Sequence, residues 1–345
     1  MNENAKKEWL ASRKKRREEN TPESLFSRLT SGDRGALSEG ITLLESTVSS
    51  DREKAKRLIE LVIPHTGNSV RVGITGVPGV GKSTFIESFG KHLISSGKKL
   101  AVLAIDPSSE EGGGSILGDK TRMEELSLMD EAFIRPSPSG NCLGGVARAT
   151  RETIMLCEAA GFDYILVETV GVGQSETLVH SMVDFFLLLM LAGAGDELQG
   201  IKRGIMEMAD LLLINKADGD NEHKAKLARR EYKNALHLFP PKKSGWIPNS
   251  FTVSGLNGKG MEEVTNEIER FLLQTKTNGW FQHKRGEQDV HWYRSTIQNE
   301  ILNHFLNQES TKTQLEIDET QIRNQKISPF EASENILKQW INKKQ

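Results

Sequence analysis

The sequence predicts an α/β fold in which a mostly parallel sheet is covered by helices. Apolar runs alternate with helical stretches from about residue 69 to residue 275, which is typical of strand-helix-strand units. Each run is almost continuously apolar, as strands are when both faces of a sheet are buried. Strands are expected at 70–74, 100–105, 164–167, 185–191, 211–214 and 251–253. Helices are expected at 83–95, 143–160, 198–209, 221–237 and 260–274.

The first predicted strand leads into a glycine-rich loop with the spacing GxxxxGKS. The loop consists of Gly76, Val77, Pro78, Gly79, Val80, Gly81, Lys82 and Ser83, with Thr84 next in the chain. Backbone N–H groups in such a loop curl around an anion, and the helix that follows adds its positive N-terminal end. We expect Lys82 to contact the β and γ phosphates of a nucleotide and the Ser83 hydroxyl to ligate Mg²⁺. The sequence therefore predicts a nucleoside triphosphate site, with the phosphates held by Lys82 and the amides of residues 79–84.

A second motif specifies the base. Asn215, Lys216 and Asp218 form the pattern NKxD directly after a predicted strand. Guanine carries a ring N–H and an amine on one edge, and the Asp218 carboxylate can accept from both, which adenine does not allow. We expect Asn215 to tie this loop to the phosphate loop and the Lys216 stem to cover the base. A third loop, Ser254, Gly255 and Leu256, follows the next strand and can offer a backbone N–H to the guanine carbonyl. The predicted nucleotides are GTP and GDP.

Acidic residues after the predicted strands are candidates for a magnesium shell. Glu168 occupies the position where phosphate-loop GTPases usually carry the Asp of Asp-x-x-Gly, and its longer side chain suits a water-mediated contact with the metal or with the attacking water. The Gly171 N–H is placed to sense the γ-phosphate, which makes this segment a conformational switch. Asp106 ends its strand and Asp119 follows a glycine run, although both could simply be structural residues. No glutamine directly follows Gly171, which predicts slow unassisted hydrolysis.

Composition argues against several classes of protein. The net charge of −2 gives no electrostatic case for binding nucleic acid or an anionic membrane surface. The longest apolar stretch, 185–194, is too short to span a bilayer. Acidic residues near the N-terminus argue against a transit peptide, and the two cysteines form no CxxC and suggest a reducing compartment. We therefore expect a cytoplasmic protein with no nucleic-acid and no membrane partner.

The flanking regions are predicted to be helical. Residues 1–64 are expected to form an N-terminal extension, of which 1–20 are disordered, followed by a nucleotide domain at 65–275 and an arm at 276–345. On the arm, apolar residues recur every three or four positions, at Val290, Tyr293, Ile297, Ile301 and Phe305. Because such a stripe needs a surface to bury against, we expect the arm to mediate a homodimer. Packing back onto the same chain is the alternative.

Several longer motifs resemble a known family. They begin at Asp106 (DPSS), 113 (GGSILGDKTRM), 135 (RPSP), 168 (ETVGVGQSE) and 193 (GAGDELQGIK). From about residue 33 onward the chain resembles the methylmalonyl-CoA mutase-associated GTPases, called MeaB or ArgK, which also include a human mitochondrial member linked to a methylmalonic aciduria. The resemblance implies a P-loop NTPase fold of the SIMIBI class.

The resemblance also implies a function. Such a protein is a GTPase chaperone of an adenosylcobalamin-dependent acyl-CoA mutase: it gates cofactor loading, protects the mutase and is itself activated by it. The positions Asp106, Asp119 and Glu168 then belong to the Mg²⁺ and switch shell. The loop 192–204 then carries the partner's signal through Asp196 and Lys202, where a surface charge pair is the simpler interpretation.

Other functions remain open from the residues alone. The partner could be isobutyryl-CoA mutase rather than methylmalonyl-CoA mutase. A metallochaperone GTPase would need clustered Cys and His ligands, whereas the two cysteines and eight histidines of this chain do not cluster. A kinase of a transport system would need an adenine site, which NKxD disfavours. A nucleotide-binding scaffold without turnover is a further alternative, since no water-positioning residue is identifiable.

Overall fold

The structure is a computed structural model that describes residues 21–46, 48–105, 123–135, 143–169, 175–193 and 203–342. The chain divides into two compact units, Met1–Arg285 and Gly286–Gln345. The domain limits at 64 and 275 and the disorder of residues 1–20 stay predictions, and residues 1–20 lie outside the described part.

A seven-stranded sheet forms the centre of the first unit, in the order β3-β2-β4-β1-β5-β6-β7. All neighbouring strands run parallel, so the predicted fold class is confirmed. The strands are β1 Val70–Gly76, β2 Leu100–Ile105, β3 Ala132–Arg135, β4 Tyr164–Thr169, β5 Phe185–Leu191, β6 Leu211–Asn215 and β7 Asn249–Thr252. The sequence did not predict β3, which is a four-residue strand at the sheet edge with only two buried residues.

Helices cover both faces of this sheet. They are α1 Pro22–Thr30, α2 Arg34–Glu45, α3 Ser49–Val62, α4 Lys82–Ser95, α5 Leu143–Ala159, α6 Ser175–His180, α7 Arg203–Met208, α8 Glu222–Leu236 and α9 Met261–Thr277, with short 3₁₀ turns at 63–65, 126–128 and 219–221. Alternate residues of each central strand enter different cores. Leu166 packs with α4 and α9, whereas Ile165 and Val167 pack with the N-terminal helices and α5. Burial on both faces explains why the strands read as continuous apolar runs.

The N-terminal helices pack on the sheet domain. Thr21 caps α1 by accepting from the Ser24 N–H at 3.2 Å, and Pro22 occupies the first helical position, as the sequence predicted. Leu29 and Leu58 are fully buried in the core that also contains the residues of α5. This extension is therefore part of the same hydrophobic core as one face of the sheet.

The C-terminal region is helical throughout its described residues. α10 spans Trp280–Leu306, α11 spans Glu309–Arg323 and α12 spans Pro329–Asn342. The sequence indicated α10 and α12 but gave only a polar stretch where α11 lies. Within the second unit, the Phe305 and Trp340 rings meet edge to face at 5.3 Å. Among the described helices, none combines the length and apolar character that crossing a bilayer requires.

Candidate nucleotide-binding site

The phosphate loop joins β1 to α4 and can be built only with glycine at its key positions. Gly79 and Gly81 have φ angles of 75° and 90°, in the left-handed region that side chains disfavour. A Cβ on Gly76 would lie 2.5 Å from the backbone oxygen of Leu189 in the neighbouring strand β5. A Cβ on Gly81 would lie 3.0 Å from the Asn215 amide nitrogen. The loop thus forms a backbone-lined cradle that fits a phosphate group.

Lys82 is the first residue of α4 and is buried against the loop that precedes it. Its ammonium donates to the carbonyl oxygen of Gly76 at 2.9 Å and lies 3.5 Å from that of Val77. Phosphate oxygens are charged and are stronger acceptors than these neutral carbonyls. Ser83 follows at the second helical position and is half-buried. Both side chains therefore lie at the positive end of α4, where the first N–H groups have no partner within the helix.

Asn215 connects the loops of the site. Its amide nitrogen donates to the Val80 carbonyl at 2.9 Å, so the contact with the phosphate loop that the sequence predicted is present. Its amide oxygen accepts from the Gly255 N–H at 3.0 Å. A Cβ on Gly255 would lie 2.9 Å from the Phe85 backbone nitrogen, so the third loop packs directly on the first turn of α4. One buried side chain thus fixes the second and third loops relative to the phosphate loop.

Lys216 and Asp218 lie on the second loop, beyond β6. Lys216 has a φ of 57°, which is uncommon for a residue other than glycine, and its ammonium donates to the Gly79 carbonyl at 2.8 Å. Its stem therefore crosses toward the phosphate loop. Asp218 accepts a short hydrogen bond from the hydroxyl of Ser254, which is fully buried. Because a carboxylate has about four lone-pair sites, Asp218 keeps acceptor capacity beyond this bond.

The side-chain roles of the third loop differ from the expectation. The sequence suggested only a backbone N–H here, whereas the Ser254 hydroxyl orients the Asp218 carboxylate. Leu256, the last residue of the loop, is 80% exposed. Nothing in the sequence pattern marks Ser254 for this contact, since the two residues belong to separate loops.

Glu168 lies at the carboxyl end of β4, directly beside β1. It is paired in register with Ile74 and is buried, at 5% exposure. The next residue, Thr169, donates its hydroxyl to the Thr75 hydroxyl at 2.8 Å, and both are buried. The sequence motifs did not identify Thr75 or Thr169 as site residues. Their contact joins the strand before the phosphate loop to the strand before the predicted switch.

The remaining predicted residues, Asp106, Asp119, Gly171, Asp196 and Lys202, lie outside the described residues. Their roles stay predictions. Among the residues that the structure does describe, no group of three or more His, Cys, Asp or Glu side chains could hold a metal ion. Ser83 and Glu168 are the described candidates for Mg²⁺, and both supply the oxygen ligands that this ion prefers.

Known proteins match this chain over most of its length. The family model described as "Methylmalonyl Co-A mutase-associated GTPase MeaB" matches residues 37–310. "GTPase ArgK" of Escherichia coli is 46% identical over 302 residues, covering 88% of this chain and 91% of the relative. The mouse protein "Methylmalonic aciduria type A homolog, mitochondrial" is 45% identical over 332 residues, covering 93% and 80%. A solved structure, "Crystal structure of LAO/AO transport system kinase", is 38% identical with a TM-score of 0.72, covering 93% and 97%. The chain belongs to the methylmalonyl-CoA mutase-associated GTPase family.

Proposed function

We propose that this chain is a GTP-hydrolysing chaperone that docks on an adenosylcobalamin-dependent acyl-CoA mutase, and that methylmalonyl-CoA mutase is its partner. It gates cofactor loading and protects or reactivates the mutase. GTP hydrolysis sets how long the chain stays bound to the mutase. Family membership supports the mutase as partner. The observation that carries the nucleotide assignment is the Asn215 amide, which joins the phosphate loop to the loops that contain Asp218 and Ser254.

Each described loop then has a part in holding the nucleotide. Lys82 and the amides of residues 79–84 hold the phosphates, Asp218 accepts from guanine, and the Lys216 stem covers the base. The Gly255 N–H is held by Asn215, so the third loop meets the guanine carbonyl through another of its backbone N–H groups. This arrangement favours GTP and GDP over adenine nucleotides because only guanine offers two donors to one carboxylate.

Magnesium and the switches complete the proposal. Ser83 and Glu168 would hold Mg²⁺ together with Asp106 and Asp119. When bound, Mg²⁺ neutralises charge on the β- and γ-phosphates. Glu168 and Asp106 position the reacting groups, and the Gly171 N–H senses the γ-phosphate.

The third switch is proposed to lie in the loop 192–204. Asp196 and Lys202 would transmit the signal of the mutase to the nucleotide, so that hydrolysis is slow alone and faster in the complex. Phosphate release under single-turnover conditions, with and without the mutase, tests this. Stimulation that is lost in Asp196→Ala and Lys202→Ala supports the proposal, and equal rates with and without the mutase contradict it.

The partner and the nucleotide are tested separately. Binding of GTP by isothermal titration should be lost in Lys82→Ala, and the same titration with ATP should give at most weak binding. Tight ATP binding would instead favour a kinase, the activity named for the solved structure that is 38% identical to this chain. Co-purification with methylmalonyl-CoA mutase and with isobutyryl-CoA mutase then identifies the partner. Binding of neither mutase would contradict the chaperone role.

We also propose that the chain forms a homodimer through its C-terminal helices. Within the second unit, large apolar side chains are exposed, with Tyr293 at 67%, Ile301 at 52% and Phe330 at 87%. A second copy offers the same surface, which is how symmetric dimers bury such patches. This interface would place the apolar stripe of α10 and the outer face of α12 at the dimer contact.

The truncation that tests the dimer should end after Arg285. Its guanidinium donates to both oxygens of the buried Asp184 carboxylate at 2.8 and 2.7 Å, and to the carbonyls of Gly67 and Ser69. A chain ending at 275 would lack the Arg285 guanidinium. The negative charge of the buried Asp184 carboxylate would then lose the ion pair with Arg285. Light scattering should show a dimer for the full chain and a monomer for residues 1–285. A dimer in both would contradict the proposal.

A further inference from the structure

The hydroxyl of Ser88 forms a hydrogen bond outside its own helix. Ser88 lies in the middle of α4, where a serine or threonine hydroxyl often donates to the carbonyl of the residue four positions earlier. Thr150 and Thr275 do so in α5 and α9. Ser88 instead donates to the carbonyl oxygen of Gly255, which lies 167 residues further along the chain. This side chain therefore links α4 to the third loop of the nucleotide site.

Gly255 is held through both of its backbone polar groups. Its N–H donates to Asn215 at 3.0 Å, and its carbonyl accepts from Ser88. Gly255 is buried, and a Cβ at this position would lie 2.9 Å from the Phe85 nitrogen, so the loop is in close contact with α4. A buried carbonyl that loses its donor costs free energy. Removal of the Ser88 hydroxyl should therefore shift or loosen the third loop against α4.

The Gly255 carbonyl belongs to the same peptide unit as the N–H of Leu256. This peptide bond is trans, so the unit is planar and its carbonyl and N–H point in opposite directions. A contact that fixes the direction of the carbonyl therefore fixes the direction of the N–H as well. By donating to the Gly255 carbonyl, Ser88 sets where the Leu256 N–H points.

The backbone N–H groups on either side of Leu256 have acceptors within the chain. The Ser254 N–H donates to the Lys259 carbonyl at 3.0 Å, and the Gly258 N–H donates to the Ser254 carbonyl at 3.0 Å. The Asn257 N–H lies 3.4 Å from the Ser254 hydroxyl oxygen. In the described part of the chain, no residue accepts from the Leu256 N–H. This N–H is therefore the donor that the loop can offer to a guanine carbonyl.

We propose that Ser88 is a positioning residue for guanine recognition. It orients the Leu256 N–H, which donates to the carbonyl of the base. This role rests on the nucleotide site proposed above, and Ser88 itself does not touch the nucleotide. Because the same helix begins with Lys82 and Ser83, α4 also fixes the distance between the phosphate loop and the base.

Three nucleotides that differ at the base test this role in the full chain. GDP and inosine diphosphate both carry the base carbonyl, whereas 2-aminopurine riboside diphosphate carries a hydrogen in its place. In equilibrium titrations, Ser88→Ala should bind GDP and inosine diphosphate about fivefold more weakly, the effect of losing one neutral hydrogen bond. The 2-aminopurine nucleotide also lacks the ring N–H and binds weakly throughout, but its affinity should be equal in Ser88→Ala and the wild type. Alanine favours the helix, so α4 should keep its fold.

Ser95→Ala is the matched control on the same helix. Ser95 is exposed and its hydroxyl donates to the His92 carbonyl within α4, so its removal should leave the affinities for all three nucleotides unchanged. An equal loss of all three in Ser88→Ala would reveal a general effect on the fold and overturn the positioning role. Unchanged GDP affinity in Ser88→Ala would overturn it too, while the nucleotide site would stand. A wild-type chain that binds none of the three would overturn the proposed function and this inference with it.

Discussion

Replacing Asp218 by asparagine tests the guanine assignment directly. The substitution keeps one side-chain oxygen, which can still accept from the Ser254 hydroxyl, so the loop should retain its fold. It removes the negative charge that would accept from the ring N–H and the amine of guanine. Hydrogen bonds to charged groups contribute about 1.5 kcal/mol each at the lower end of their range, so the loss is about 3 kcal/mol. GDP affinity should therefore fall roughly 150-fold.

Binding of xanthosine diphosphate should change in the opposite direction to binding of GDP. Xanthine has a carbonyl where guanine has the amine, and the amide of Asp218→Asn can donate to it. The variant should thus gain affinity for xanthosine diphosphate while it loses GDP, measured by isothermal titration of both diphosphates. Asp220→Asn is the matched control, because Asp220 is exposed in the adjacent 3₁₀ turn. Unchanged GDP affinity in Asp218→Asn would refute the reasoning, and so would an equal loss of both nucleotides.

Three further predictions concern packing and titration. Thr169→Val removes the hydroxyl that donates to Thr75 and should slow single-turnover hydrolysis with little change in nucleotide affinity. Thr169→Ser keeps the hydroxyl and should restore the rate. A loss of nucleotide affinity with an unchanged rate would contradict the idea that this hydrogen bond positions the end of β4 for hydrolysis. Gly255→Ala brings a methyl group to 2.9 Å from the Phe85 nitrogen and should lower the free energy of unfolding by about 1–3 kcal/mol in chemical denaturation. An unchanged denaturation midpoint would show that the third loop moves to accommodate the methyl group without cost. Burial lowers the pKa of His180 from 6.5 to about 4, so the folded state keeps this ring neutral. The unfolded chain takes up the proton at a higher pH than the folded chain, so the stability that the neutral ring contributes is complete above pH 6.5. It is lost as the pH falls toward 4, which lowers the free energy of unfolding by at most about 3 kcal/mol. Urea unfolding between pH 7 and 4.5 should show a flatter pH dependence in His180→Gln than in the wild type, and parallel curves would contradict this assignment.

The sheet was predictable from the sequence where strands are buried on both faces. The limits of β2 and β5 agree with the expected ranges, because their apolar runs end sharply at polar or glycine-rich segments. The strands β1 and β4 extend beyond the expected ends, to Gly76 and Thr169, because they pair with neighbours beyond the last apolar side chain. Hydrogen bonding between strands, rather than side-chain polarity, sets these limits.

Two of the elements that the sequence did not predict, α11 and β3, bury polar residues or few residues. The buried residues of α11 are Thr311 and Asp318, so the positions that it buries most deeply are polar and show no apolar periodicity. Asp318 is compensated by the Gln314 amide, which donates to it at 2.9 Å from one turn away. The edge strand β3 is too short for its alternation to be distinguished from a loop. In both cases tertiary contacts decide the structure, and single-sequence patterns carry little information about them.

The contacts of the candidate site also fall into those that the sequence predicts and those that it does not. The contact of Asn215 with the phosphate loop follows from two motifs whose spacing fixes their relative position in a known type of fold. The Ser254–Asp218 and Thr75–Thr169 contacts join residues that no motif links, and they form only because β6 lies beside β7 and β4 lies beside β1. Sequence patterns do not determine the order of the strands in the sheet. They therefore cannot predict contacts between side chains on adjacent strands. The Thr75–Thr169 pair spans the strands that lead into the phosphate loop and the predicted switch. A shift at either strand end must therefore break this buried hydrogen bond or move the other strand with it.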